Sequence, residues 1–370
     1  MGVFSVSESQ KAAPKPVKTR GKYKEKGMFK EYAFSAFDLP RDISDVLQKT
    51  ANLALADCTK KKYDTALNCV EKCELDTKEN LSFPWDNRKT LIFVGYCIKK
   101  DLKAGSIKSY LSGVSKIHLA LGYQKLDLTP PILKEIFTGQ ENKHNQKPKK
   151  GGKGKRLPCT LKMLRLLKTE FRISDMNDKE KLIAWAGCTL AFFGALRPGE
   201  MLTKYEKSYD PALTLCKKDV SIVKGENGEK DAVHLTIKNS KSNRTGRHEI
   251  VIIYETKDIL CPVRAARKVI DMNKGVSPNA PFLSGAGGKP LTLNRLNDIL
   301  KEATKSVPLK GTLSGHSFRS GITSLLAKKG YSNQQLKTVG RWSSRAYQAY
   351  IKLGRSVRHE MAVACSESQK

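Results

Sequence analysis

Residues 315–352, GHSFRSGITSLLAKKGYSNQQLKTVGRWSSRAYQAYIK, carry the reading on which the rest of the chain turns. Within GHSFRSGITSLLAKKG, helical spacing puts His316, Arg319 and Thr323 on one face. Phe318, Ile322, Leu325 and Leu326 fall on another, and Gly330 is the stop signal. Such a helix buries its apolar face and is expected to leave His316 and Arg319 together on the exposed side. Two donors at that spacing suit a phosphate oxygen. Alone, an HxxR pair is a weak signal, because a surface His and a surface Arg often fall this way by chance. Further on, Tyr347 and Tyr350 lie one turn apart on a short predicted helix capped by Ser343 or Ser344. Either tyrosine, like Trp342, is equally at home as a packed aromatic.

Working outward, the domain that holds this stretch is expected over residues 159–352. LKMLRLLKTEF and KLIAWAGCTLAFFGAL have helical stripes. A strand-rich patch follows: DVSIVKG, the tight turn ENGE, DAVHLTIK, then NSKSNRTG and RHEIVII. Val233, Leu235 and Ile237 alternate, as do Ile250 and Ile252, and Asn227-Gly228 is a strong hairpin signal. The pattern predicts a three-stranded antiparallel meander. Helix then returns, starting at Pro262 and again in LNRLNDILKEATK. Arg197 closes the apolar helix ahead of Pro198, and on its own it reads as a helix C-cap pairing with Glu200.

Ahead of this domain, residues 46–141 read as a small helical bundle of about 90 residues. Tyr63, Leu67 and Val70 make a first stripe, with Thr59 as its N-cap. Leu91, Phe93, Val94 and Cys97 make a second. Ile107, Leu111, Val114, Ile117 and Leu121 make a third, ended by Gly122, and PPILKEIFTGQ adds a short fourth. Residues 1–45, Lys-rich with Pro14 and Pro16, read as a basic flexible arm. Residues 142–158 are Lys/Gly/Pro-rich and read as a basic linker, which also suits a nuclear address or a strap along a nucleic-acid backbone. Its GGKGK is no phosphate-cradling loop, because no strand precedes it and the spacing is wrong; SGAGGKP from Ser284 fails on the same spacing. No nucleotide cofactor is expected. The fold class is therefore α+β, mainly α: a helical bundle followed by a mixed domain with a small sheet.

Charge narrows the partner. The chain's 68 Lys+Arg against 36 Asp+Glu leave a formal +32, which favours a polyanion, nucleic acid first. Anionic lipid and a ribosomal-type role fit the charge equally well, so it says nothing about catalysis. No stretch reaches the ~20 apolar residues of a membrane span, and MGVFSVSESQK lacks a signal-peptide pattern, so an intracellular protein is expected. Nine scattered cysteines are expected to be reduced and mostly buried. Cys69 and Cys73 lack the companions of a zinc site, and no metal is expected.

Taken together, GALRPGE, NSKSN, HSFR and GRWSSRAYQAYIK resemble, in order and separation, the tyrosine recombinase (integrase) family. Arg197 with Glu200 matches the first box, and His316 with Arg319 matches the second. Trp342 stands where members carry His or Trp. Tyr350 follows at the usual spacing, for which Tyr347 lies too near Trp342. The family's catalytic Lys sits on the sheet's hairpin, where Lys238 and Lys241 both qualify and the SK of NSKSN favours Lys241. The helical segment resembles the family's core-binding domain. The stretch from Gly315 to Lys352 looks most like recombinases of DIRS-type and Crypton-type mobile elements.

The resemblance implies a DNA strand transferase that works without metal, ATP or other cofactor. Tyr350 would form a 3′-phosphotyrosyl link, Arg197 and Arg319 would hold the phosphate, and His316 and Trp342 would add hydrogen bonds. Lys241 would protonate the leaving 5′ oxygen, and Glu200 would orient the site. Four protomers on two paired double-stranded DNA sites are implied. For the tail, residues 353–370, docking on a neighbouring protomer and a frayed end are equally open. Lys60, Lys62 and Lys108 are candidate phosphate contacts. A nuclear location is expected in a eukaryote, and the nucleoid otherwise. A 3′-linking topoisomerase and a DNA-binding descendant that no longer cuts are the competing readings.

Overall fold

The computed structural model describes residues 39–54, 57–146, 156–226, 228–238, 248–307, 309, 311–342 and 344–350. It divides into two compact units, Met1–Lys150 and Gly151–Lys370.

The first unit is helical: α1 (Arg41–Leu53), α2 (Asp57–Thr77), α3 (Asn87–Lys99), α4 (Ala104–Ala120) and α5 (Pro131–Gln146). The expected stripes form its core, with Leu67, Val70, Phe93, Val94, Cys97, Ile107, Leu111, Val114 and Ile117 all buried. Burying these side chains is what holds helices of this length together. Details differ from the sequence reading. Thr59 lies inside α2 and is not its cap, and Leu91 faces outward at 39% exposure. α1 begins within the stretch read as an arm, and α5 runs to Gln146, into the stretch read as a linker. The Cys69 thiol lies 3.9 Å from that of Cys97, on α3. Among the described residues, no cluster of His, Cys, Asp and Glu fits a metal ion, and no helix is long and apolar enough to cross a membrane.

The second unit is built round α7 (Asp178–Phe193), whose residues from Ile183 to Phe192 are all buried. Asn177 caps it by accepting from the Glu180 amide at 2.9 Å, and Thr160 does the same for α6 (Leu161–Ile173). Then come α8 (Pro198–Met201), the sheet, α9 (Pro262–Met272), α10 (Leu293–Ala303), α11 (Gly315–Lys328), α12 (Asn333–Val339) and a 3-10 helix, Arg345–Tyr350.

The sheet is the expected meander, β1 (Val220–Val223), β2 (Ala232–Ile237) and β3 (Glu249–Tyr254), in the order β1-β2-β3 and antiparallel throughout. Val233, Leu235 and Ile237 point into the core. On β3 the alternation holds, but the register pairs Val233 with Ile253 and Leu235 with Val251, so those two turn inward. Ile250 and Ile252, the pair picked out in the sequence, are 62% and 48% exposed.

α11 carries His316 and Arg319, and its position is fixed by close backbone approach. The Cys159 amide donates to the Ser317 carbonyl at 2.8 Å, and a Cβ at Gly321 would stand 1.9 Å from the Cys159 carbonyl oxygen. Only glycine allows that approach. Gly321→Ala is therefore expected to destabilise this unit by about 1–3 kcal/mol or more through overpacking. Gly199→Ala, where a Cβ meets nothing within 4 Å, should stay within about 0.5 kcal/mol of wild type. Urea unfolding followed by far-UV circular dichroism reads the difference; equal midpoints for the two variants would refute the packing argument.

Candidate active site

The site begins where α7 ends. Ala195 adopts the left-handed conformation (φ 46°), uncommon for a residue with a side chain, and so turns the chain out of α7. Arg197 follows, and it is not the C-cap of α7. It stands at the N-cap of α8, with Pro198 at the first helical position. The pairing with Glu200 is real: the Arg197 amide donates to Glu200 Oε2 at 2.8 Å, and Arg197 Nη1 donates to Oε1 at 2.9 Å.

Glu200 is only 3% exposed, so its charge needs partners. Arg341, which the sequence reading passed over, supplies the second guanidinium. Its Nη2 donates to Glu200 Oε2 at 2.7 Å, and its Nη1 donates to Glu249 Oε2, at the start of β3, at 3.3 Å. Arg341 is also left-handed, at φ 52°.

Arg319 departs from the expectation of an exposed donor. It is 3% exposed, donating from Nη1 to the Ala195 carbonyl and from Nη2 to the Gly340 carbonyl. Its guanidinium carbon lies 4.3 Å from the ring centre of Trp342, a cation–π stack. Trp342 in turn packs against Tyr347, ring centres 5.8 Å apart. Two backbone acceptors and an aromatic face account for a buried arginine that helical periodicity alone places at the surface.

His316 sits in the field of three arginines. Part of the residue faces solvent, yet packing round the ring is the largest influence lowering its pKa from the ordinary 6.5, followed by Arg156, Arg319 and Arg197. Arg156 is a second residue not picked out from the sequence. It is brought beside α11 by a parallel bridge to Thr312, a non-local pairing with no sequence signal.

Of the residues expected to act together, the structure gathers Arg197, Glu200, His316, Arg319 and Trp342. Tyr350 closes the 3-10 helix, but its side chain lies outside the described residues, as does Lys241 in segment 239–247. Lys238 is committed elsewhere: its ammonium donates to the Pro211 carbonyl at 2.6 Å, to Cys216 Sγ at 3.1 Å and to Asp219. Burial pulls its pKa down, but the hydrogen bonds to Asp219 and Cys216 outweigh this and leave it raised. Lys60, Lys62 and Lys108 belong to the first unit. Lys62 is exposed, Lys60 half-buried, and Lys108 pairs with Glu141 at 3.0 Å while lying over the Phe137 ring.

Chemically, the assembly brings together two fixed guanidiniums, an imidazole whose pKa is lowered by burial and by neighbouring arginines, and an indole. Planar forks of this kind suit the non-bridging oxygens of a phosphodiester.

No protein-family model matches the chain, and no curated protein does. Solved structures do share its fold. The XerH site-specific recombinase, in a post-cleavage complex with a palindromic difH substrate, has a TM-score of 0.53 at 16% identity, covering 82% of this chain and 78% of that one. The Tn1549 transposon integrase in complex with transposon right end DNA has a TM-score of 0.52 at 17% identity, covering 83% of this chain and 94% of that one. At these identities the likeness is one of fold.

The His316 environment has a measurable consequence. Above pH 6.5 the ring is neutral whether folded or unfolded, and its titration contributes nothing to stability. As pH falls below 6.5 the unfolded chain takes up a proton that the folded site resists, so stability declines from 6.5 down to the depressed value. NMR titration should give His316 a midpoint below 6.5, and His316→Gln should flatten the acid-side loss of stability. A midpoint at or above 6.5 would contradict the packed ring and the arginines beside it.

Proposed function

We propose that this protein is a site-specific DNA recombinase of the tyrosine type, cutting and rejoining strands through a covalent 3′-phosphotyrosyl intermediate. The observation that carries the reading is the convergence of Arg197, Arg319, His316 and Trp342 on one site, in a fold shared with two DNA-bound recombinases. The formal charge of +32 supports double-stranded DNA as the partner.

In this reaction the Tyr350 hydroxyl oxygen attacks the scissile phosphorus, the bond from phosphorus to O5′ breaks, and the DNA 3′ end stays on the enzyme. Arg197 and Arg319 neutralise the non-bridging oxygens as the phosphorane forms, the electrostatic part a metal plays in other enzymes. The depressed pKa of His316 keeps its ring neutral near pH 7, so it can accept the tyrosine proton. Lys241 gives a proton to the departing O5′; Lys238 is already held by Asp219. The phosphotyrosyl ester conserves the bond energy, so attack by a 5′-hydroxyl of another strand completes the exchange without ATP. Exchange between two duplexes calls for four protomers on paired sites. The resemblance of the segment from Gly315 to Lys352 to DIRS-type and Crypton-type recombinases makes a mobile element the natural setting, with the nucleus as its place in a eukaryote.

Suicide-substrate trapping tests the reading. A nicked duplex of candidate element-end DNA, incubated with the protein in EDTA and run on a denaturing gel, should give a covalent adduct with wild type and none with Tyr350→Phe. An adduct that persists in the variant moves the nucleophile to Tyr347. Tight, salt-sensitive binding with no adduct from either protein sinks the enzymatic reading in favour of a DNA-binding descendant.

The general acid has its own test. Lys241→Ala should slow cleavage by about 10²–10⁴-fold on ordinary DNA. It should recover on DNA with sulfur in place of the scissile O5′, since a thiolate leaves without a proton. Lys238→Ala should lower thermal stability and gain nothing from sulfur; the reverse pattern would transfer the role to Lys238.

A further inference from the structure

Resting on that reading, we propose that Arg341 is a positioning residue: held between Glu200 and Glu249, it fixes the Glu200 carboxylate that aims the Arg197 guanidinium at the scissile phosphate. Three consecutive residues, Gly340, Arg341 and Trp342, then set both phosphate-binding arginines. The Gly340 carbonyl accepts from Arg319 and the Trp342 ring stacks on it, while Arg341 reaches Arg197 through Glu200.

The geometry makes Arg341 more than a counterion. Glu200 Oε2 already accepts from the Arg197 backbone amide, and Oε1 from the Arg197 side chain. The Arg341 contact to Oε2 therefore holds the carboxylate that both of these bonds depend on. The Arg341 side chain is 10% exposed and Glu200's is 2% exposed, so little water is at hand to replace the contact. Glu249, 33% exposed, anchors the other side of the Arg341 fork on β3. A guanidinium can span two carboxylates in fixed geometry; a lysine ammonium, a point charge on a flexible stem, cannot reproduce that fork. Arg341 itself has a left-handed backbone (φ 52°), between Gly340, whose carbonyl accepts from Arg319, and Trp342, whose ring stacks on it. Gly340 is required beside it: a Cβ there would come within 1.7 Å of the Trp342 ring.

The test uses full-length protein and two trapping substrates, one with an ordinary scissile phosphate and one with a methylphosphonate, which lacks the charged non-bridging oxygen that an arginine neutralises. Wild type should be trapped on the phosphate. Arg341→Met should lose about 10- to 100-fold on the phosphate, the usual scale for groups that orient a reacting one. Its deficit on the methylphosphonate should shrink to about threefold or less, because Arg197 is then no longer needed to neutralise charge. Arg341→Lys should fall between the two. Glu249→Gln, which loosens the outer anchor and leaves Glu200 paired, should give a milder loss of the same pattern and guards against a misfolded Arg341→Met. Equal deficits on both substrates would reduce Arg341 to a structural residue and overturn the proposal. A wild type that traps on neither substrate defeats the recombinase reading instead. The positioning claim then stands or falls on the His316 titration midpoint, which should rise in Arg341→Met as Arg197 leaves its place and would stay unchanged if Arg341 did not hold it.

Discussion

A carboxylate taken out of water sets the terms for the second unit. Glu200, 3% exposed, gains Coulomb energy from Arg197 and Arg341 but loses its hydration, and such pairs stabilise a fold little unless their geometry is close to ideal. Here three hydrogen bonds of 2.7–2.9 Å satisfy it. That requirement fixes the α8 turn, the left-handed Arg341 and the position of β3 beside them. The site thus inherits its precision from an electrostatic demand of the core. Removing one partner leaves a buried charge uncompensated, so the network holds as a unit.

The second arginine is fixed by other means. Arg319 is received by two main-chain carbonyls, those of Ala195 and Gly340, and by the Trp342 face. Carbonyl dipoles orient a guanidinium without neutralising it, which preserves its attraction for an incoming anion. A carboxylate in their place would compete with phosphate. The contrast with Arg197 is instructive, since Glu200 lies between two guanidiniums and neutralises neither completely. Both arrangements leave net positive charge near His316, which adds to burial in lowering its pKa below the ordinary value.

Much of this was legible in the sequence, and the reason is locality. Helical stripes such as Ile107–Leu111–Val114 and the antiparallel pairing of β1 with β2 depend on neighbours within a few residues, and they fold as read. Arg197 and Glu200 interact three residues apart, so the pair was visible even though the cap assigned to it was wrong. Features that depend on distant partners were not visible. Arg341 finds its carboxylates 141 and 92 residues away, and Arg319 finds the Ala195 carbonyl 124 residues away. No period in the sequence encodes these distances, and Arg341 within GRWSS reads as one more basic residue in a basic chain. The inward face of β3 escaped for a similar reason: with four consecutive apolar residues, Ile250 to Ile253, only pairing with β2 decides which two turn in.

The same logic separates the two tyrosines. In the sequence Tyr347 and Tyr350 are interchangeable aromatics one turn apart, and spacing from Trp342 is the only discriminator. In the fold Tyr347 is 6% exposed and packed on Trp342, whose ring also stacks on the buried Arg319. A phenol built into that stack supports the arginine and would have to leave it to reach a phosphorus atom, at the cost of uncovering the indole. Under the proposed function, using Tyr347 as nucleophile would therefore loosen Arg319, the arginine assigned to the transition state. In the proposed reaction, with attack assigned to Tyr350, Tyr347 can keep its place in the stack while the other tyrosine reacts.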